Sequence, residues 1–433
     1  MTLDEHPATP PTGSERLAFM DHLRWGVVAL VVTIHAAVTY SGIGSWYYIE
    51  PAAAGMGTRL FFLVYETHLQ AFFMGLLFFV AGYFVPGAYD RKGARKFLWE
   101  RFRRLGMPTA FYVFIIQPAL FYTVRFHQGE ALPPLWDRYS DYLLGLGFLS
   151  GTGPMWFALA LLIFTAVYTL FRSVRGSPTR QPPGNGLPTK QATGTVPHSS
   201  SVLPSATVRT APGTAPGSGS PRRSEGNRTL PTHATVAGYV GVTALATFLV
   251  RVAQPVGTSV FNLQLCFFPQ YLALFAIGLL AYRADWLRRI PRAFGLFWFR
   301  LAVGLGPFLW VGFGVAGRFW TGDLERITGG WHLPSALYCL WESFFCAGMC
   351  LGLVVLLRDG GNRHTRLTRW LSENSFAVYL FHPLILLWLT IAFAGLAWPP
   401  VLKFLLLSLV CLAVAFPASH YVFRRLPGLR RIL

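Results

Sequence analysis

The 433 residues are 53% hydrophobic and only 13% charged, with 16% aromatic side chains and a mean hydropathy of +0.44. An ordinary soluble domain, with roughly 25% charged residues, is excluded. The net charge of +19 does not mark a nucleic-acid binder either, because the basic residues fall in short gaps between apolar runs, where a membrane protein keeps its cytoplasmic anchors.

Apolar runs of about 20 residues predict about ten spans, at 25–49, 60–85, 105–124, 154–171, 234–252, 260–282, 301–320, 332–357, 375–397 and 401–423. The fold class is therefore all-α and polytopic. Residues 1–15 read as a disordered tail. They lack a basic region followed by an apolar core and a small-residue cleavage site, so the first span itself is expected to direct insertion. Residues 16–171 form the first four helices of the membrane domain and 234–433 the last six. Between them, 172–233 is rich in Ser, Pro, Gly and Thr, cannot bury enough apolar surface to offset its ordering entropy, and reads as a disordered cytoplasmic linker. With both termini cytoplasmic, about 30 of the 37 lysines and arginines lie inside, the bias that the positive-inside rule demands. About seven (Arg59, Arg125, Arg138, Arg251, Arg318, Arg326 and Lys403) are left outside.

The opening stretch RLAFMDHLRWGVVALVVTIH carries the strongest chemistry. Arg24 and His35, eleven positions apart, share nearly one helical face about 16 Å apart along the axis. Asp21 falls within about 60° of both. A basic group at the membrane edge with an imidazole on the same stripe near mid-bilayer describes a site reaching from water into lipid. An ionisable side chain within a span is costly and a functional candidate by default, although an interhelical hydrogen bond for packing is the plainer role. Neutral imidazole can take a proton from a hydroxyl and return it to a leaving group, the work of a general base in acyl transfer.

The second span adds Glu66, His68 and Gln70 near its outer end, with Glu66 and Gln70 on one face and His68 on another. Interface solvation and an acceptor-side role are both open for them. The loop before the third span holds Arg91, Lys92, Arg95, Lys96, Arg101, Arg103 and Arg104. Topology alone accounts for arginines there and is the favoured reading by composition, but guanidinium forks also bind phosphate bidentately, so a rim of Arg24, Arg101 and Arg104 that docks a phosphate-rich donor is the functional alternative. Trp46, Tyr47, Tyr48 and Trp156 read as aromatic-belt residues, with Gly153, Pro154 and Trp156 as candidates for a pocket mouth. Glu130, Asp137 and Asp141 read as solvated in a loop at 126–153. In the ninth span, ENSFAVYLFHP puts His382 at a depth comparable to that of His35, and Pro383 frees a backbone carbonyl, so a purely structural role for His382 and a part in the chemistry are both open. The five cysteines all lie in apolar runs with no zinc spacing, so neither disulfide nor metal is expected.

RLAFMDHLRWGVVALVVTIH resembles the opening of the acyltransferase-3 family of bacterial integral membrane acyltransferases. THLQAFFMGLLFFVAGYF resembles its second helix, RFRRLGMP its Arg-x-x-Arg motif (Arg101 and Arg104), GPMWFALALL its Trp-Phe helix start and ENSFAVYLFHPLIL its late Tyr-x-x-His segment. The closing LPGLRRIL is similar to the glucan biosynthesis protein C-like subgroup. Gly75 departs from the pattern, which usually has proline there, and so does the long linker, with no fused esterase-like domain to fix the acceptor.

The resemblance implies a ten-helix bacterial inner-membrane enzyme that moves an acetyl- or succinyl-type group from cytoplasmic acyl-CoA, a co-substrate rather than a bound cofactor, to a hydroxyl of a cell-envelope carbohydrate or similar acceptor. It implies His35 as the catalytic histidine, with Arg24, Arg101 and Arg104 serving the donor. The reading of the residues themselves adds Asp21 and His382 to the catalytic set and Glu66, His68 and Trp156 to the acceptor side. A transporter that exports a glycan or lipid without chemistry is the alternative, disfavoured by the absence of internal repeats. A structural or sensory membrane protein would show neither activity.

Overall fold

The computed structural model describes residues 17–50, 55–175, 229–321 and 324–429. The N-terminal tail, most of the 172–233 linker and the last four residues lie outside the described set. Among the described residues there are ten helices long and apolar enough to cross a membrane: α1 (Ala18–Ser41), α2 (Met56–Lys92), α3 (Ala94–His127), α4 (Gly153–Val174), α5 (His233–Ala253), α6 (Leu265–Ala284), α7 (Arg292–Ala316), α8 (Leu333–Gly360), α9 (Arg366–Phe393) and α10 (Pro400–Arg425). No strand occurs among them. This is the form hydrocarbon imposes, because each helix satisfies its own backbone polar groups. The boundaries shift in both directions: α2, predicted over 60–85, runs from Met56 to Lys92 and carries the first basic residues on its last turn, whereas α1, predicted to reach 49, is closed at Ser41 by Gly42 in the left-handed region. The stretch predicted as a solvated loop at 126–153 holds a ten-residue surface helix, Leu135–Leu144, with no buried residue.

Helix α1 sits at the centre, packed against α2, α8, α9 and α10. Its sequence explains this position: Phe19, Met20, Leu23, Val27, Val31, Val32, Ala36 and Ala37 are all buried. By contrast α5 and α7 expose Val242, Leu245, Leu249, Val303, Phe308 and Val311, the apolar perimeter expected against lipid tails, where burial supplies no contrast with the solvent. Close approach between helices is therefore made with small residues. A methyl group built on Gly82 of α2 would overlap the Phe275 carbonyl of α6, and one on Gly278 would overlap the Phe79 carbonyl. Gly75 is hemmed in by Leu274, Gln270 and Cys346, and α2 runs through it uninterrupted.

Helix α3 is the irregular one. It changes to π-helical winding at Phe102–Gly106 and again at Tyr112–Ile116. Each wide turn is followed by a proline, Pro108 or Pro118, near the start of the next α-helical piece. Proline lacks the N–H that would continue the ladder, and single π turns in helices frequently mark functional positions. The first π turn carries Arg103 and Arg104; the second begins at Tyr112.

Candidate active site

His35 of α1 and His382 of α9 meet with Nδ1 of the first 3.0 Å from Nε2 of the second, their rings nearly parallel at 15° with centroids 5.1 Å apart. His382 is fully buried, whereas His35 retains some accessible surface. The hydrogen-bond directions follow from one backbone carbonyl. Pro383 provides no N–H for the carbonyl four residues back, Tyr379, and His382 Nδ1 takes that oxygen at 2.9 Å. A carbonyl only accepts, so the proton is on Nδ1 of His382. With both rings neutral, His382 Nε2 accepts from His35 Nδ1–H, and the lone pair of the pair's reactive end sits on His35 Nε2. The carbonyl freed by Pro383 thus sets a tautomer.

The site lies nearer the 42–50 end of α1 than the predicted mid-bilayer position, since His35 is six residues, about 9 Å, before Ser41. That end is roofed by the loop after α1. Trp46 stacks on His35 with centroids 3.9 Å apart and rings within 15°, and lies nearly parallel to His382 as well, 6.2 Å away. Tyr47 hydrogen-bonds Tyr112 of α3 at 2.6 Å and donates to Gln117. Burial holds the Tyr47 hydroxyl protonated well above the ordinary tyrosine range, so it remains a donor. Tyr379 donates to the Pro154 carbonyl, and Asn262 donates to Thr152 and the Gly153 carbonyl, both at 2.9 Å. Gly153, at φ +46°, has no room for a side chain against Tyr47 and Tyr112.

At the opposite end of α1, Arg24 is paired to Asp21 at 3.3 Å and lies over the Phe84 ring at 4.4 Å. The other Asp21 oxygen faces His364 Nε2 at 3.5 Å, and Phe19 N donates to Asn362 at 3.5 Å, so the start of α1 is docked on the α8–α9 loop. Arg101 lies within electrostatic reach of both Arg24 and Arg104. Three guanidinium groups from two helices therefore form one positive rim, while Lys92 pairs with Glu100 beside it.

The three residues expected on the acceptor side are not gathered. Glu66 turns towards Ser41 of α1, His68 packs among Trp310, Trp341 and Phe345 of α7 and α8, and Trp156 stacks on Tyr271 of α6. Sequence reasoning missed the roof, because Trp46 was read as a belt residue. It also missed two buried ion pairs. Arg251, counted with the outer loops, is wholly buried and bonds Glu342 at 2.7 Å, with Cys339 Sγ at 3.5 Å. Lys403, counted the same way, is buried against Glu50 at 2.6 Å. Glu342, a carboxylate in the middle of the apolar run YCLWESFF, was the available signal. All five cysteines are buried and free, and among the described residues no cluster suited to a metal ion occurs.

The model of the acyltransferase-3 family, described as an acyltransferase domain, matches residues 17–420. The glucans biosynthesis protein C of Escherichia coli (strain SMS-3-5 / SECEC) is 23% identical over 172 residues, which cover 39% of this chain and 42% of that protein. The chain thus matches less than half the length of this curated relative. No solved structure matches. A match that reaches all ten helices and includes the paired histidines and the arginine rim places the chain in the acyltransferase-3 family, as an integral membrane protein.

Proposed function

We propose that the protein transfers an acetyl- or succinyl-type group from acyl-CoA on the cytoplasmic side of a bacterial inner membrane to a hydroxyl of a cell-envelope carbohydrate or similar acceptor. The observation that carries this reading is the His35–His382 contact, 3.0 Å long, with its direction set by Tyr379. A base needs a free lone pair and a fixed orientation, and this arrangement supplies both. In the reaction His35 Nε2 takes the proton of the acceptor hydroxyl as its oxygen attacks the thioester carbonyl. The C–S bond breaks, and the same proton passes to the departing thiolate. His382 stabilises the imidazolium formed in passing and holds the ring in place, the part an aspartate plays in a serine-hydrolase triad.

The donor's phosphates are assigned to Arg24, Arg101 and Arg104, where charge-assisted hydrogen bonds to planar forks are strongest. Asp21 positions Arg24. The roughly 16 Å from rim to dyad is a span that an extended pantetheine arm covers. The succession of basic residues on the rim side supports its assignment to the cytoplasm. The name of the Escherichia coli relative makes glucans one acceptor class to assay first.

The test is thiol release from acetyl-CoA and succinyl-CoA by purified wild-type and His35→Ala protein. Loss of release in the variant is the expected result; equal rates in the two proteins would remove His35 from the chemistry.

A further inference from the structure

Resting on the acyl-transfer reading above, we propose that Trp46 is a seal: its indole shuts the His35–His382 pair off from the aqueous face opposite the arginine rim, so that water does not replace the acceptor hydroxyl. Three observations carry the assignment. First, the indole is laid flat on the dyad, 3.9 Å from His35 and 6.2 Å from His382 between centroids, at 15° to both rings. Second, it stands at a boundary, because Gly42, Gly44 and Ser45 immediately before it are exposed while His382 is fully buried. Third, the loop is fastened on both sides of the ring. Upstream, Gly42 closes α1 in the left-handed region with its N–H on Val38 O at 3.2 Å. Downstream, Tyr47 is tied to Tyr112 and Gln117, Glu50 N donates to Thr39 O at 2.9 Å, and the Glu50 carboxylate is held by Lys403.

Such fastening fixes the backbone and leaves the indole's own torsions as its freedom. An acceptor that displaces the ring reaches His35 Nε2, and water alone does not. The reaction being suppressed is plain hydrolysis. Water would give one proton to His35 Nε2 as its oxygen bonds to the thioester carbon; the C–S bond would break, that proton would pass to the thiolate, and the carboxylic acid formed would release its own proton to solvent, leaving a carboxylate and a thiol. A dyad exposed to water would spend donor in this way, which is the familiar reason for closing active sites against solvent.

The deciding experiment reads access rather than activity. In sealed vesicles with the 42–50 loop outward, a membrane-impermeant methanethiosulfonate reagent is applied to the otherwise wild-type chain carrying His35→Cys, whose five native cysteines are buried. Labelling is expected to be slow with Trp46 present, at least about tenfold faster when Trp46→Ala is added, and slow again with Trp46→Phe, which restores a stacking ring. Equal labelling rates with tryptophan and alanine at position 46 overturn the proposal, whatever the fate of the acyl-transfer reading. The companion measurement is acceptor-free thiol release from acetyl-CoA with His35 intact. Trp46→Ala is expected to raise it severalfold, and no rise alongside faster labelling would overturn the protective role. A wild-type protein that consumes no thioester with any acceptor would count against the acyl-transfer reading and leave the labelling result standing on its own.

Discussion

His382 hydrogen-bonds the carbonyl of Tyr379, 2.9 Å away and three residues back on the same helix, because Pro383 leaves that oxygen without its usual partner. The local sequence Tyr-x-x-His-Pro therefore contains both the acceptor and the cause of its being free. Helix α9 remains continuous from Arg366 to Phe393 through the proline, so the imidazole substitutes for the missing ladder bond. A residue that would ordinarily kink a helix here fixes the proton position on a ring, and through it the protonation of a second ring on α1.

If that ordering matters, His382→Ala will lower kcat by about a hundredfold or more with little change in KM for acyl-CoA, the pattern of an interaction strengthened in the transition state. His382→Gln, whose amide oxygen can accept from His35 Nδ1–H, will retain more of the rate. Pro383→Ala restores an N–H that competes for Tyr379, and a drop of about tenfold in kcat with a melting temperature no lower than wild type is expected, a hydrogen bond being worth about 1 kcal/mol net. Steady-state kinetics on the three variants checks this. A kcat for His382→Ala equal to wild type would assign the ring to packing alone.

The arginine rim predicts a different kinetic signature. Phosphate binding there is made alike in the ground and transition states, so Arg101→Ala and Arg104→Ala should each raise KM for acyl-CoA about tenfold or more while kcat is preserved. Lysine at either position should rescue only in part, since it offers a point charge where a planar fork is wanted. The KM of the wild type should itself climb between low and physiological salt as exposed charges are screened. Isothermal titration with non-reactive CoA tests binding alone, and an affinity indifferent to both substitutions would move the donor site elsewhere.

These features were unequally legible in the amino-acid sequence. The ten spans could be counted because a bilayer demands that apolar length be local in the chain. His35, Arg24 and Pro383 could be singled out because each breaks a local rule. That His35 and His382, with 346 residues between them, face one another could not be read, since similar depth does not specify which helices are neighbours. Trp46 fits an interfacial aromatic so well that its stacking role leaves no compositional trace. Arg251 misled the topology count, because a cation at a span's end looks the same whether it snorkels to water or turns inward to a carboxylate 91 positions away.

That inward pair makes a prediction of its own. Arg251 is fully buried and Glu342 nearly so, with Nε of the arginine and one glutamate oxygen lacking hydrogen-bond partners. Removing one partner of such a pair strands a charge and costs about 3–5 kcal/mol, whereas replacing both by apolar groups is often neutral. Arg251→Met and Glu342→Leu should each lower the unfolding temperature in detergent sharply, and the double variant should recover most of the loss. Additive losses in the double variant would show that the two charges are not coupled.

The contact between α2 and α6 offers a sharper test of packing, because the protein supplies its own control. A methyl on Gly82 or Gly278 meets a backbone carbonyl of the facing helix, which cannot swing aside, whereas a methyl on Gly238 of α5 meets nothing within 4 Å. Gly82→Ala and Gly278→Ala should each cost about 1–3 kcal/mol as the helices are forced apart. Gly238→Ala should be neutral or stabilising by about 0.5–1 kcal/mol through its better helix propensity. The same substitution at three helical glycines thus changes sign with the distance to the next backbone. Helix α2 also packs on α1, which carries His35, so the two destabilised variants should lose thioester turnover at a lower temperature than wild type while matching it in the cold. Thermal unfolding followed in parallel with turnover decides the matter. If all three variants melt alike, the small residues at this crossing are not what holds α2 and α6 together.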